Sequence, residues 1–141
     1  MTTILKEFSN SSSFPKQTDC LCFYCCHSFD TPPLSLPFAL KNNVFMVKYC
    51  FCSWECMKSY NNETHSSNKF YIFSLIQQLF MKLNNNKPQS INFAPPKTML
   101  KSFGGSMTID EFRSNVNKTY FHIEVPLIVQ NPTIDSVSNF S

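Results

Sequence analysis

Two short cysteine spacings, Cys22-Phe-Tyr-Cys25 and Cys52-Ser-Trp-Glu-Cys56, restrict this chain more than any other feature of its sequence. Each is a chelating claw. Two claws joined by a longer loop bring four thiolates around one cation, the closed tetrahedral arrangement of a structural zinc site. Sulfur then fills every coordination position, so the site shapes a fold and offers no open place for water or substrate.

Three more cysteines, Cys20, Cys26 and Cys50, stand one or two residues from a proposed ligand. Cys20-Leu-Cys22 is too tight a claw beside a proper CxxC, and Cys26 adjoins Cys25 and is expected to point away from the metal. The expected ligands of one zinc ion are therefore Cys22, Cys25, Cys52 and Cys56. Cys26 or His27 is the alternative for one of them, since adjacent donors trade places around an adaptable cation.

A metal reading requires a reducing compartment. The start, Met1-Thr-Thr-Ile-Leu-Lys-Glu-Phe8, has no apolar signal core, and no later stretch approaches the about 18 uninterrupted apolar residues of a membrane span. No membrane partner is expected, and in such a compartment paired cysteines bind metal rather than form disulfides. The 141 residues amount to one domain's worth of chain, with 15 Phe among them, so a packed core is expected rather than disorder throughout. Four thiolates around one divalent ion lower the formal charge of +3 by two. The basic residues, Lys41, Lys48, Lys58, Lys69, Lys82, Lys97 and Arg113 among them, are scattered, so no basic stripe for a polyanion can be read.

Residues 1–19 are polar and lack periodicity, and read as a flexible lead-in. Residues 20–61 form the finger. Within it, Leu34–Leu40 and Val44–Tyr49 flank an Asn42-Asn43 turn and read as a hairpin, with Pro32, Pro33 and Pro37 expected to confine the first strand to an edge or delay its start. Ser53 is the expected N-cap of a helix whose first turn carries Cys56, a position where unpaired N–H groups and the helix dipole favour thiolate. Residues 62–130 form a helical and mixed region packed on or beside the finger, and 131–141 a loose tail.

In that second region Phe70, Phe73, Ile76, Leu79, Phe80 and Leu83 make one apolar face of a helix over 68–83. Residues 84–96 read as a linker or extended excursion, Lys97–Phe103 as a short helix closed by Gly104-Gly105, and Tyr120–Val125 as a strand. Thr108-Ile-Asp-Glu111 is a capping box that opens a helix from Ile109 to about Val116. The expected fold is a small α+β zinc-binding domain: a treble-clef-like finger of knuckle, β-hairpin and helix, then a mainly helical C-terminal part with one or two short strands.

No enzymatic activity is expected. Cys26-His27 are neighbours, which seldom aim their functional atoms at each other, and no third residue orients them. Asp110 and Glu111 are first-turn helix charges. His65 and His122 are isolated, and Gly104-Gly105 is the chain's only glycine pair, so no phosphate loop is present.

The run Cys22-Phe-Tyr-Cys25-Cys26-His27, then Phe29-Asp30, then Phe51-Cys52-Ser53 with Cys56, Tyr60 and Asn61, resembles an FCS-type, MYM-like zinc finger. A second block, Phe103-Gly104-Gly105 followed by Met107-Thr-Ile-Asp-Glu-Phe-Arg113, is similar to a segment of the viral late transcription factor 2 family of nucleocytoplasmic large DNA viruses. The resemblance implies a zinc-finger trans-activator of viral late genes, with Cys22, Cys25, Cys52 and Cys56 as its zinc ligands. Its implied partners are the viral RNA polymerase and other late transcription factors, with DNA a less favoured direct ligand. Its implied place is the viral replication factory in the host cytoplasm, with packaging into the virion a further option. The alternative is an FCS-type protein-interaction module that engages host regulatory proteins. Two departures from the family concern the C-terminal surface: its proline-rich end is reduced here to Val125-Pro126, and residues 84–92 look like an insertion.

Overall fold

Asn42 and Asn43 both adopt left-handed backbone, with φ of 53° and 64°. Short polar side chains tolerate that conformation, and it is the one a two-residue hairpin turn requires. The turn joins β1 (Leu34–Lys41) to β2 (Val44–Phe51) in an antiparallel pair. This hairpin belongs to a computed structural model, which describes residues 18–64, 66–84, 89–114 and 127–129.

Two register shifts shape the hairpin. Between the pairs Pro37↔Val47 and Ala39↔Met46, β1 carries an extra residue, Phe38, next to the proline that cannot donate to the ladder. Between Leu36↔Lys48 and Leu34↔Phe51 the extra residue is on β2, where Tyr49 has a φ of 65°. This second bulge sets the direction in which β2 ends. Alternation along β2 buries Phe45 and Val47, and the added residue then turns Cys50 and Phe51 inward together, so the strand delivers Cys52 to the core. Ser35 Oγ donates to the carbonyl of the bulged Tyr49 at 2.5 Å.

β1 lies on an edge, the place its Pro37 favours, and β2 is central because a third strand, β3 (Leu127–Val129), runs parallel to it along Phe45–Val47. Sequence reasoning did not find β3. The strand expected at Tyr120–Val125 lies outside the described residues, as do His65, His122, residues 1–17 and the 131–141 tail.

Helix α1 (Trp54–Glu63) follows β2 after the two-residue link Cys52-Ser53, and α2 (Lys69–Leu83) packs across β1 and against α1. α2 buries Ile72, Leu75, Ile76, Leu79, Phe80 and Leu83. The expected apolar face is corrected at its N-terminal end. Phe70 is 79% exposed and Phe73 only partly buried, because the buried stripe runs through Ile72 and Leu75 instead.

The segment expected to be a linker is tied down where it is described. Lys58 Nζ donates to the Ile91 carbonyl at 2.6 Å, Ala94 N–H to the Glu55 carbonyl at 3.3 Å, and Ser59 Oγ to the Ala94 carbonyl at 2.9 Å. Ile91 and Ala94 are buried, so residues 91–94 are a strap along α1.

The single helix expected over Lys97–Phe103 is two 3₁₀ turns, Lys97–Met99 and Lys101–Phe103, parted by the extended Leu100. Leu100 is buried and bridges to Met107 in parallel fashion. Gly104, at φ 91°, caps the second turn, and a Cβ on Gly105 would sit 2.1 Å from the Met99 carbonyl oxygen. Only glycine allows that approach. The folded-back loop sets Thr108 at the start of the one-turn helix α3 (Ile109–Phe112), which is shorter than expected because Arg113 already ends it. Both halves of the capping box form, each at 3.1 Å.

One apolar cluster takes in Cys22 and Tyr24, the hairpin, α1, α2, the strap, Leu100, Phe112 and Leu127. The fold is a small α+β arrangement whose hairpin and helices surround the cysteines.

Candidate metal centre

The first claw is a tight turn. Cys26 N–H donates to the Cys22 carbonyl at 2.9 Å and Cys22 N–H to the His27 carbonyl at 3.1 Å, with Cys26 at φ 59°. Phe23 N–H donates to the Cys50 carbonyl at 2.7 Å, which fixes the turn to the end of β2 just before the second claw. Cys22 and Cys25 are thereby aimed at the point where the Tyr49 bulge delivers Cys52.

The second claw uses a helix start. Ser53 is extended, at φ −157° and ψ 161°, and its Oγ accepts the Cys56 N–H at 3.1 Å. That hydrogen bond makes Ser53 the N-cap and places Cys56 on the first turn of α1. Replacing Ser53 by Ala is expected to cost about 1 kcal/mol of stability in urea unfolding of the metal-loaded protein. Metal stoichiometry stays unchanged, because the cap orients a ligand without being one. An unaltered unfolding midpoint would contradict this role.

The sulfurs of Cys22, Cys25, Cys52 and Cys56 all lie within 4.8 Å of one another, and all four residues are buried. Cys25 Sγ is 3.9 Å from Cys52 Sγ, and Cys52 Sγ is 3.7 Å from Cys56 Sγ. Sulfurs held about 2.3 Å from a central cation in a regular tetrahedron stand about 3.8 Å apart, which is the separation of the Cys25–Cys52 and Cys52–Cys56 pairs. None of the four is in a disulfide.

The thiols are coupled through shared hydrogen bonds. Burial pushes the Cys22 thiol well up, and hydrogen bonding with the sulfurs of Cys22, Cys25 and Cys52 pushes Cys56 up. Bonds with Cys22, Cys52 and Cys56 hold Cys25 down, and bonds with Cys22 and Cys56 hold Cys52 down against the opposing effect of Cys25. Without a cation the cluster therefore keeps protons between its sulfurs. A divalent ion takes their place, so binding releases protons and weakens as pH falls.

The neighbouring donors stand apart from this cluster. Cys26 is exposed, with its sulfur 3.8 Å from the Tyr24 carbonyl, and His27 Nδ1 is 2.6 Å from the Cys25 carbonyl. Cys20 is half-buried. Cys50 is buried, and desolvation pushes its thiol up to about 12. The structure thus gathers the four residues chosen from the spacing and leaves both alternatives out.

Sequence reasoning missed Arg113. Its Nη2 donates to Cys25 Sγ at 3.6 Å, and its Nε is buried with no hydrogen-bond partner among the described residues. Burial disfavours the guanidinium charge, yet the attraction of Cys52 and Cys25 outweighs it and holds the group above its ordinary range. The signals in the sequence were that it is the chain's single arginine and that it stands two residues past the Thr108–Glu111 capping box.

The packing around the centre is aromatic. Tyr24 is buried between the claw residues, donates to the Glu63 carboxylate, accepts the Lys97 N–H at 3.1 Å and packs against Phe112. Phe23 stacks on Tyr49 with centroids 4.2 Å apart, and Tyr60 meets both edge-on.

The chain is similar to an uncharacterized protein of Acanthamoeba polyphaga mimivirus, at 30% identity in an alignment 121 residues long that covers 79% of this chain and 34% of that protein. The chain therefore spans about a third of the length of the curated relative it matches. No family model and no solved structure matches the chain. Sequence and geometry together describe a relative of a large-DNA-virus protein, built around four cysteines that could hold a metal ion.

Proposed function

We propose that the chain is a zinc-stapled adaptor in viral late transcription, working in the cytoplasmic replication factory through contacts with the viral RNA polymerase and other late factors. The observation that carries the mechanistic half is the closed donor set. Four buried cysteine sulfurs leave no position for water or substrate, so zinc is the fitting ion and its work is to hold a treble-clef-like finger in shape. Function then lies on the surface that the metal shapes, and the chain is not an enzyme. The late-transcription half rests on the two resembling blocks, Cys22–Asn61 and Phe103–Arg113, together with the mimivirus relative.

Protein contact comes before DNA contact. Phe70, Tyr71, Phe93, Leu21 and Phe23 are exposed, a large apolar complement for a small domain. Several lysines, meanwhile, already lie over aromatic rings of the chain: Lys48 over Phe38 and Tyr49, Lys58 over Phe93, Lys82 over Phe45, and Lys97 over Tyr24 and Phe103. They are spread over the fold rather than aligned as a phosphate track.

Affinity capture from infected cells tests the proposal. The tagged chain is expected to recover viral RNA polymerase subunits and late factors, and a Cys52→Ser variant to lose them. Recovery of host regulatory proteins without polymerase or late factors would contradict the transcription role and favour the host-directed module. Salt-dependent binding to late-promoter DNA by the chain alone, as tight as with polymerase present, would reverse the order of protein and DNA.

A further inference from the structure

A centre of four thiolates and one divalent cation carries two net negative charges inside the fold, and a buried charge of that size needs a counter-charge close by. Of the described side chains, Arg113 supplies a cationic donor at bonding distance: Nη2 stands 3.6 Å from Cys25 Sγ. Its position is costly on other grounds. The guanidinium is removed from water, and its buried Nε has no partner among the described residues. The sulfur of Cys25, at 3.6 Å, is the polar atom its guanidinium reaches.

Arg113 is brought there by a chain of local devices, each with its own physical cause. The Gly104-Gly105 approach to Met99 folds the loop back, the Leu100–Met107 bridge closes it, and the Thr108 capping box starts α3. Phe112 is then buried against Tyr24, between the two cysteines of the first claw, and Arg113 follows it onto the sulfurs.

We infer that Arg113 is the charge partner of the metal–thiolate centre, and that through it metal occupancy holds the 97–113 segment docked on the finger. The inference rests on the reading of the four cysteines as a metal site. N–H donation to Cys25 withdraws electron density from that sulfur, which makes it a poorer target for acid and for electrophiles and slows its departure from the metal. Lysine keeps the charge but loses the planar, weakly hydrated donor set, so it substitutes only in part.

The test compares the wild-type chain with Arg113→Lys and Arg113→Met, each loaded with one equivalent of Zn²⁺, by the rate of transfer to a chromophoric chelator. Loss of a group that orients and polarises a metal ligand typically costs about 10–100-fold in metal affinity. Arg113→Met is expected to release zinc at least about tenfold faster than wild type, with Arg113→Lys in between. Equal release from a loaded wild type and Arg113→Met would overturn the charge-partner role and leave the metal site standing. A wild type that binds no zinc would overturn both.

A second measurement needs no variant. Chelating zinc from the wild-type chain is expected to remove hydrogen-exchange protection from the amides of Leu100, Gly105, Phe112 and Arg113, which all donate within this segment. Protection there that survives chelation would overturn the coupling even if a variant failed to fold.

Discussion

Replacing Cys25 or Cys52 by Ser is expected to abolish metal retention and to unfold residues 20–61. A structural zinc ion contributes an apparent folding free energy of about 10–16 kcal/mol, as large as or larger than the about 5–15 kcal/mol of net stability of a typical domain. Loss of one ligand from four removes most of that contribution, because a serine hydroxyl stays protonated and binds poorly. Three buried thiols then face one another with no cation to hold them together. The loss does not stop at the finger, since Cys22, Cys25, Cys52 and Cys56 belong to the same cluster as α2, the strap and Phe112. Metal analysis with amide exchange checks this. Either variant keeping a full complement of metal would refute its assignment as a ligand.

The second large effect is expected at Phe80. Its ring is fully buried in the cluster and meets Trp54, the first residue of α1, edge-on with centroids 5.4 Å apart. Phe80→Ala leaves a cavity where α2 joins the helix that carries Cys56, at a cost of about 3–5 kcal/mol. Phe70→Ala, on the same helix but exposed, is expected to change stability by less than about 0.5 kcal/mol. Urea unfolding of the two metal-loaded variants makes the comparison. Similar costs at both positions would mean that the buried stripe of α2 is misplaced.

That contrast marks what the sequence could and could not disclose. Local chemistry was legible wherever one residue type has one structural use. Asn42-Asn43 marked a turn that needs two positive φ values, Ser53 marked a helix start, and Thr108 with Glu111 marked a reciprocal cap. The four cysteines belong here as well, since short claws bring donors together almost regardless of the rest of the fold.

What escaped depends on partners distant in the chain. Spacing put Phe70 on the apolar face of α2, but only the packed neighbours decide where along that helix burial begins. Residues 91–94 have no periodicity, and their place follows from hydrogen bonds to the Glu55 carbonyl and the Lys58 and Ser59 side chains of α1. Leu127–Val129 is too short to announce a strand, and it forms one because β2 has an open edge to offer. The Tyr49 bulge is likewise invisible in a β-favouring run, although it turns β2 so that Cys52 reaches the first claw.

Arg113 belongs to the same group of omissions. It is the chain's single arginine among scattered lysines, but its meaning comes from the Cys25 sulfur that it reaches across the fold. Its position also gives the two resembling blocks a physical reason to occur in one chain, because the second block ends on the residue that touches Cys25 of the first.

The central claim is that four cysteine sulfurs enclose one tetrahedral cation, and titrating the metal-free chain with Co²⁺ tests it most directly. Strong thiolate-to-cobalt charge-transfer absorption and the ligand-field bands of a tetrahedral four-sulfur site are expected, saturating at one equivalent and displaced by Zn²⁺. Weak octahedral bands, or a full-strength four-sulfur spectrum retained by Cys56→Ser, would contradict it.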